Sequence, residues 1–262
     1  MTASDQVQAH RRRLSYVGFA AIVIGYLAVI KGSGFLVSRI WDVHTTYATR
    51  DVILGMWLPL GAALVYTYAW VAWLGWRRPV LHDAHPTQRW VWAVPAIFLV
   101  CIALAIDYPA LSKTSVSYVL ALLVATQIVG WGEEGMFRGI GVVTLRDHQL
   151  SEGKVALWSS VVFGAVHISN ALTGNLSQAL PQAIVVSFAG YFFYLIRRVS
   201  RGNVLNSVIH GLFDFSVISG TGVLANQHAY VGSGAAILAY LVVGILLIVR
   251  RHHIEPASVR RA

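Results

Sequence analysis

The chain has 262 residues, of which 56% are hydrophobic and 12% charged, and its formal net charge is +9. Soluble domains usually carry about 25% charged residues, so this composition excludes an ordinary soluble enzyme, a disordered regulator and a soluble nucleic-acid-binding protein. The single cysteine, Cys101, lies in an apolar run, which excludes a disulfide framework and a cysteine-rich metal site.

Apolar runs close to the roughly 20 residues that span a bilayer recur along the whole chain. They predict eight helices, at residues 14–30, 56–76, 90–106, 116–138, 155–166, 183–196, 204–218 and 235–249. The four runs between 116 and 218 are shorter or interrupted by polar residues, which indicates helices shielded by their neighbours. The sequence therefore predicts an all-α, polytopic transmembrane bundle of about eight helices, with residues 1–262 forming a single integral membrane domain.

The basic residues are distributed unevenly between the predicted loops. If the N-terminus is cytoplasmic, the cytoplasmic segments hold 16 of the 20 lysines and arginines, and the opposite segments hold only Lys31, Arg39, Arg50 and Lys113. The positive-inside rule predicts this asymmetry, so we expect both termini in the cytoplasm and the protein in the cell membrane. The lipid bilayer, rather than nucleic acid, is the expected partner of the positive charge. No A-x-A-like cleavage site follows the first run, so we expect an uncleaved span.

Six ionisable side chains lie inside apolar sequence, where each is costly and is functional by default. They are Glu133, Glu134, Arg138, His167, His210 and Asp214. The spacing is regular, and residues four apart share one face of a helix. The pairs four apart are Glu134 with Arg138, Phe163 with His167, and His210 with Asp214. Three hydrophobic segments are therefore each expected to present a pair of side chains to one side.

Three of these residues are also expected at one depth. Each lies 13 residues along the chain from a basic residue predicted at the cytoplasmic interface, or roughly 20 Å at about 1.5 Å per residue. The pairs are Glu133 with Arg146, His167 with Lys154, and Asp214 with Arg201. Three separate helices are thus expected to bring polar side chains to the same level of the bilayer.

In chain order the motifs read Glu-Glu-x-x-x-Arg from Glu133, Phe-x-x-x-His ending at His167, and His-x-x-x-Asp from His210. This order resembles the CPBP family, which groups type II CAAX prenyl endopeptidases with bacterial Abi proteins linked to bacteriocin processing and self-immunity. The resemblance covers residues 116–218, expected to be a catalytic core within the single domain. It implies an intramembrane endopeptidase that acts on a peptide or membrane-protein substrate without a cofactor.

The resemblance also implies a role for each site residue. Glu133 activates water with His167 as its partner, and His210 with position 214 stabilises the oxyanion. The prenyl endopeptidases carry asparagine where this chain has Asp214, and an ionised aspartate cannot donate a hydrogen bond. Either Asp214 is protonated in its apolar surroundings, or it orients His210 instead.

The residues by themselves favour the same base. Two adjacent carboxylates in a low-dielectric site do not both ionise freely. Arg138 is expected to hold Glu134 ionised in a structural ion pair, which leaves Glu133 for general-base work. Neither Cys101 nor a serine in the core has a convincing base beside it in the sequence, so a serine or cysteine nucleophile is not predicted.

Three other functions stay open at this point. Glu133, His167, His210 and Asp214 are residue types that bind zinc, but no H-E-x-x-H motif accompanies them, so the zinc protease is the less favoured reading. The likeness to Abi proteins leaves open a non-proteolytic immunity or scaffold protein. A proton-coupled transporter is weaker still, because no inverted repeat is visible in the sequence.

Overall fold

The computed structural model describes residues 12–85, 87–172, 174 and 176–255. Within these ranges there is no β-strand, and the predicted all-α bundle is confirmed. The long helices are α1 (Tyr16–Trp41), α2 (Thr49–Leu74), α3 (Ala93–Ala105), α4 (Val116–Asp147), α5 (Glu152–Val166), α6 (Leu176–Val199), α7 (Val204–Ser219) and α8 (Val231–Val249). Shorter helical segments lie between or after them, at Arg77–Leu81, Arg89–Trp92, Tyr108–Leu111, His167–Leu172 and Arg251–His253.

Among the described residues, six helices are long and apolar enough to cross a membrane, namely α1, α2, α4, α5 with its 3₁₀ extension, α6 and α8. Helices α3 and α7 are also apolar but have 13 and 16 residues, against about 20 for a straight span. The count of eight spans therefore stays a prediction. The cytoplasmic position of both termini does too, and three arginines counted for it, Arg11, Arg260 and Arg261, lie outside the described ranges.

The segments predicted in the cytoplasm meet at one end of the bundle, which we call the basic end. Asp83 accepts hydrogen bonds there from Arg146 (2.8 Å) and Arg197 (2.9 Å). Trp90 Nε1 donates to the carbonyl oxygen of His253 (3.1 Å), which joins the segment before α3 to the segment after α8. The loops that the positive-inside rule assigns to one side are therefore gathered together.

The opposite end of the bundle is tied by separate contacts. Lys31 Nζ donates to Asn170 Oδ1 (3.1 Å), and Gln227 Nε2 donates to Asp107 Oδ2 (3.1 Å). Asp107 follows α3, and its backbone N–H donates to the hydroxyl of Ser219 at the end of α7 (3.1 Å). Helices α3 and α7 thus run from the basic end to the opposite end, as the six longer helices do.

A glycine brings α4 and α7 into close contact. A Cβ at Gly130 of α4 would overlap the backbone carbonyl oxygen of Ser207 and lie 2.6 Å from the backbone nitrogen of Gly211 on α7. Only a hydrogen fits at this crossing, because real Cβ atoms keep a larger distance from backbone atoms. The crossing sets Glu133 and Glu134, about one helical turn further along α4, directly beside α7.

The geometry of α4 changes at the site. The α-helix ends at Glu133, and a π-helical stretch, Glu134–Gly141, follows with all eight of its residues buried. Such wide turns are rare and occur frequently at functional sites. Nothing in the apolar run 116–138 indicated this widening, although the spacing of four residues still pairs Glu134 with Arg138.

Candidate active site

Glu134 lies at the centre of a buried polar cluster. Its carboxylate accepts hydrogen bonds from Arg138 Nη1 (3.0 Å), His210 Nδ1 (2.7 Å) and Asn206 Nδ2. The Glu134 and Arg138 side chains are fully buried, and Asn203 Nδ2 donates to the backbone carbonyl oxygen of Glu134 (2.8 Å). The expected ion pair is therefore present, and the same carboxylate also holds a histidine.

His210 faces the other two carboxyl groups with its second ring nitrogen. Its Nε2 lies 3.6 Å from Glu133 Oε2 and 3.5 Å from Asp214 Oδ2. A carboxylate accepts hydrogen bonds but donates none, so the short contact to Glu134 places a proton on Nδ1. A second proton can then lie either on Nε2 of His210 or on one of the two neighbouring carboxyl groups, and its position sets the charge of the ring.

The three carboxyl groups differ in access to the surroundings. The Glu134 side chain is 0% exposed, whereas those of Glu133 and Asp214 are 16% and 24% exposed. Water or a substrate can reach Glu133 and Asp214 but not Glu134. The geometry thus separates one sealed carboxylate, which positions its neighbours, from two accessible groups, which can react.

The three carboxyl groups of the cluster are not all expected to be ionised, so at least one extra proton is held among them and the histidines. Among the described residues, three carboxyl groups face one arginine, Arg138, and two histidines, and like charges in a low-dielectric site do not all ionise. Arg138 keeps unused capacity, since its Nε and Nη2 atoms have no hydrogen-bond partner among the described residues. Its guanidinium instead lies over the ring of Phe163, 4.0 Å from the centroid.

His167 lies beside this cluster rather than in hydrogen-bond contact with it. Its Nδ1 is 2.9 Å from the carbonyl oxygen of Phe163, so Nδ1 carries the proton and Nε2 keeps a free lone pair. It is within electrostatic range of Asp214, His210 and Arg138. Within the described part of the chain it makes no hydrogen bond or ion pair with Glu133, so its role as partner of the base stays a prediction.

Aromatic side chains of α5 and α6 enclose the histidines. Phe193 stacks face to face on His210, with ring centroids 4.2 Å apart and planes 12° apart. Phe163 packs edge-on against both His167 and His210 and so shapes the site between them. Gly190 leaves room for the arginine, because a Cβ there would lie 2.7 Å from Nη2 of Arg138.

Several residues of the site carried no motif. Asn206 is four residues before His210, so helical spacing placed it on the right face without showing its bond to Glu134. Phe193 and Tyr26 had no signal at all. Tyr26 is 2% exposed on α1, its hydroxyl lies 3.4 Å from where a Cβ of Gly132 would be, and it is within electrostatic range of all three carboxyl groups.

The four residues considered for zinc do not form a ligand set. In the described ranges no three His, Cys, Asp or Glu side chains are grouped as metal ligands. The Nδ1 atoms of His210 and His167 are used on Glu134 and on a backbone carbonyl oxygen, which leaves both Nε2 atoms available, as in metal-ligating histidines. The absence of a cofactor therefore stays a prediction.

Comparison with known proteins adds one positive finding. Residues 115–216 match the model of a family described as type II CAAX prenyl endopeptidase Rce1-like. The matched segment starts just before α4 and ends within α7, and it contains all six motif residues, which confirms the resemblance stated above. No curated protein and no solved structure matches the chain. The match supports a protease-type function within the membrane.

Proposed function

We propose that this protein is an intramembrane endopeptidase in which Glu133 activates the attacking water. The observation that carries the proposal is that the two ring nitrogens of His210 have different partners. Its Nδ1 is fixed by a sealed carboxylate, and its Nε2 faces the two accessible carboxyl groups of Glu133 and Asp214. Such a pre-oriented group beside a reactive base is what peptide hydrolysis requires.

In the first step Glu133 takes a proton from water as the water oxygen bonds to the peptide carbonyl carbon. The carbonyl π electrons move to the oxygen, which becomes an oxyanion. His210 stabilises it by donating from Nε2 when the ring is doubly protonated, and protonated Asp214 donates the second hydrogen bond. The negative charge that compensates the cationic ring comes from Glu134.

In the second step the C–N bond breaks and the leaving nitrogen takes a proton. That proton originates on Glu133, and His167 accepts and passes it through its free Nε2 lone pair. Because His167 does not contact Glu133, the transfer runs through a bridging water. The products are a carboxylic acid and an amine, and the enzyme returns to its starting protonation.

The rest of the cluster positions these groups. Arg138 and Asn206 hold the Glu134 carboxylate, and Glu134 fixes the tautomer and angle of His210. Phe193 stacks on the face of the His210 ring and restricts its rotation. The catalytic groups therefore keep their geometry without substrate, which reduces reorganisation during the reaction.

The experiment compares new protein N-termini in membranes of cells that express wild type or Glu133→Gln. The exposed Asp42→Asn variant, whose side chain is 95% exposed at the opposite end of the bundle, is the matched control. Cleavage products should appear with wild type and Asp42→Asn and disappear with Glu133→Gln. If Glu133→Gln preserves every product, Glu133 is not the base. If no variant yields products while the cellular phenotype persists, the scaffold function replaces the protease.

We further propose that the basic end faces the cytoplasm of the cell membrane, since positive residues are retained on that side. Reporter fusions after Arg78 and after Glu255 should both read cytoplasmic. A signal from the far side at either position contradicts this orientation.

A further inference from the structure

A groove lies on the outer surface of the bundle at the basic end, outside the cluster around Glu134. Its walls are α5 and α8, its floor is α6, and its volume is about 320 Å³. The α5 wall includes Leu157 and Val161, which are 56% and 39% exposed, and the α8 wall includes Ile248, which is also 39% exposed. Tyr191 and Phe188 of α6 form the floor.

The groove follows from how α6 packs. A Cβ at Gly164 of α5 would overlap the carbonyl oxygen of Ala183 on α6, so these two helices are in close contact. On the other side, a Cβ at Gly244 of α8 would lie 3.1 Å from Phe188 of α6. Since α6 holds both neighbours, α5 and α8 are kept apart, and the space between them stays open.

The groove is apolar except at its mouth. Arg251, just after α8, lines the mouth, and its guanidinium donates a hydrogen bond to the carbonyl oxygen of Ile248 (3.2 Å). It forms no ion pair with any described residue. Lys154 lies three residues before Leu157 and therefore shares that face of α5. Positive charge thus marks the basic end of the groove, and no acidic side chain lines it.

We propose that this groove binds one acyl chain of an anionic phospholipid whose headgroup phosphate pairs with Arg251. The groove extends from Gly153 to Val161 along α5, or about 12 Å at about 1.5 Å per residue. One leaflet of the hydrocarbon core is about 15 Å thick. A single chain therefore fills the groove while its headgroup remains at the level of the arginine.

Charge complementarity selects this occupant over the others. A second copy of the chain or a partner helix would cover the full height of α5 and α8, whereas this groove reaches only one leaflet. A zwitterionic lipid offers the same chain but less attraction to a cation at the interface. Juxtamembrane Lys and Arg contribute about 1 kcal/mol each to anionic-lipid binding, which corresponds to about a fivefold difference in affinity.

The first test titrates delipidated full-length protein in detergent with phosphatidylglycerol or phosphatidylcholine of identical chains, and counts bound lipids by native mass spectrometry. Wild type should bind phosphatidylglycerol about fivefold more tightly. Arg251→Gln should remove the preference, and Arg250→Gln, the exposed neighbour that does not line the groove, should keep it. Equal affinities in wild type, or equal losses in both variants, overturn the proposal.

The second test addresses the chain rather than the headgroup. Val161→Trp fills the deep end of the groove and should lower the affinity for both lipids by the same factor. Val65→Trp places the same side chain at a position on α2 that is 70% exposed, and should leave binding unchanged. Thermal melts establish that each variant is folded. If Val161→Trp binds both lipids as Val65→Trp does, the chain does not occupy the groove.

Discussion

Two buried ionic clusters, at different depths of the bundle, each combine a carboxylate with arginine and histidine. At the basic end, Asp83 accepts from Arg146, Arg197 and His85. Within the bundle, Glu134 accepts from an arginine, an asparagine and a histidine. Each is a fully buried carboxylate that joins separate segments of the chain.

The two clusters differ in how many of their polar atoms have hydrogen-bond partners. Arg197 around Asp83 uses Nε on the carboxylate and its Nη atoms on backbone carbonyl oxygens of Pro79 and Val80. Around Glu134, two nitrogens of Arg138 and Oδ1 of Asn206 have no partner among the described residues. A satisfied cluster stabilises the fold, whereas one with spare donors, acceptors and partly exposed carboxyl groups can take part in chemistry.

Breaking the inner pair gives the largest expected effect. Glu134→Ala or Arg138→Ala strands one buried charge, at a cost of roughly 3–5 kcal/mol in the free energy of unfolding. The double variant removes both charges and should recover part of the folded yield while remaining inactive. Yield and thermal melting in detergent measure this. Single variants that express and melt like wild type would show that the pair is not buried.

The next effect concerns Asp214, for which we favour the protonated donor. Asp214→Ala should lower turnover by roughly 10²–10³, as expected for loss of one oxyanion donor. Asp214→Asn keeps a donor and should stay active, with gain at high pH where the acid ionises. A pH–rate profile of both variants measures this. A large loss in Asp214→Asn with an unchanged alkaline limb indicates that ionised Asp214 orients His210 instead.

The outer cluster sharpens the contrast, because its loss should affect stability alone. Burial by itself raises the pKa of Asp83, but the hydrogen bond from His85 and the charges of Arg197 and Arg146 outweigh it and hold the pKa well below its ordinary value. Its contribution is therefore present above about pH 4 and is lost as the pH falls towards the folded-state pKa. Asp83→Asn should lower stability at pH 7 by about 1–3 kcal/mol.

Chemical denaturation of Asp83→Asn from pH 7 to pH 3 measures this prediction. The difference between the variant and wild type in the free energy of unfolding should shrink on acidification. At pH 7, cleavage per folded molecule should be the same for the variant and wild type. A difference that is constant with pH would mean that the charge of Asp83 contributes nothing. If Asp83→Asn is folded but inactive, the cluster around Asp83 is needed for the reaction as well as for stability. The distinction between it and the cluster around Glu134 would then be wrong.

Tyr26 gives the smallest effect. The Tyr26 side chain is within electrostatic range of the three carboxyl groups, without a hydrogen bond to them among the described residues. Tyr26→Phe should therefore lower kcat by less than about tenfold, the upper limit for one neutral hydrogen bond. Tyr66→Phe, which loses a bond to the carbonyl oxygen of Ile22, is the matched control and should change melting but not kcat. Equal kinetics in both variants place Tyr26 in the packing only.

Sequence reasoning reached the parts that depend on local pattern. Apolar runs located the helices, and the spacing of four residues placed Glu134 with Arg138 and His210 with Asp214. The depth estimate placed Glu133 and Asp214 at one level with His167, whereas in the structure both carboxyl groups face His210. What it missed depends on tertiary contacts between distant segments. No pattern in the sequence indicated that Asp83 pairs with Arg197 of α6, and Tyr26 reaches the site from a helix without a motif.

The stack of Phe193 on His210 also has a spectroscopic consequence. The circulating electrons of an aromatic ring shield nuclei above its face, and these two rings lie 4.2 Å apart and nearly parallel. The carbon-bound ring protons of His210 should therefore resonate upfield of those of the chain's other nine histidines. That displaced signal would follow protonation and ligand arrival at the cluster in a magnetic resonance experiment, even before any substrate is identified.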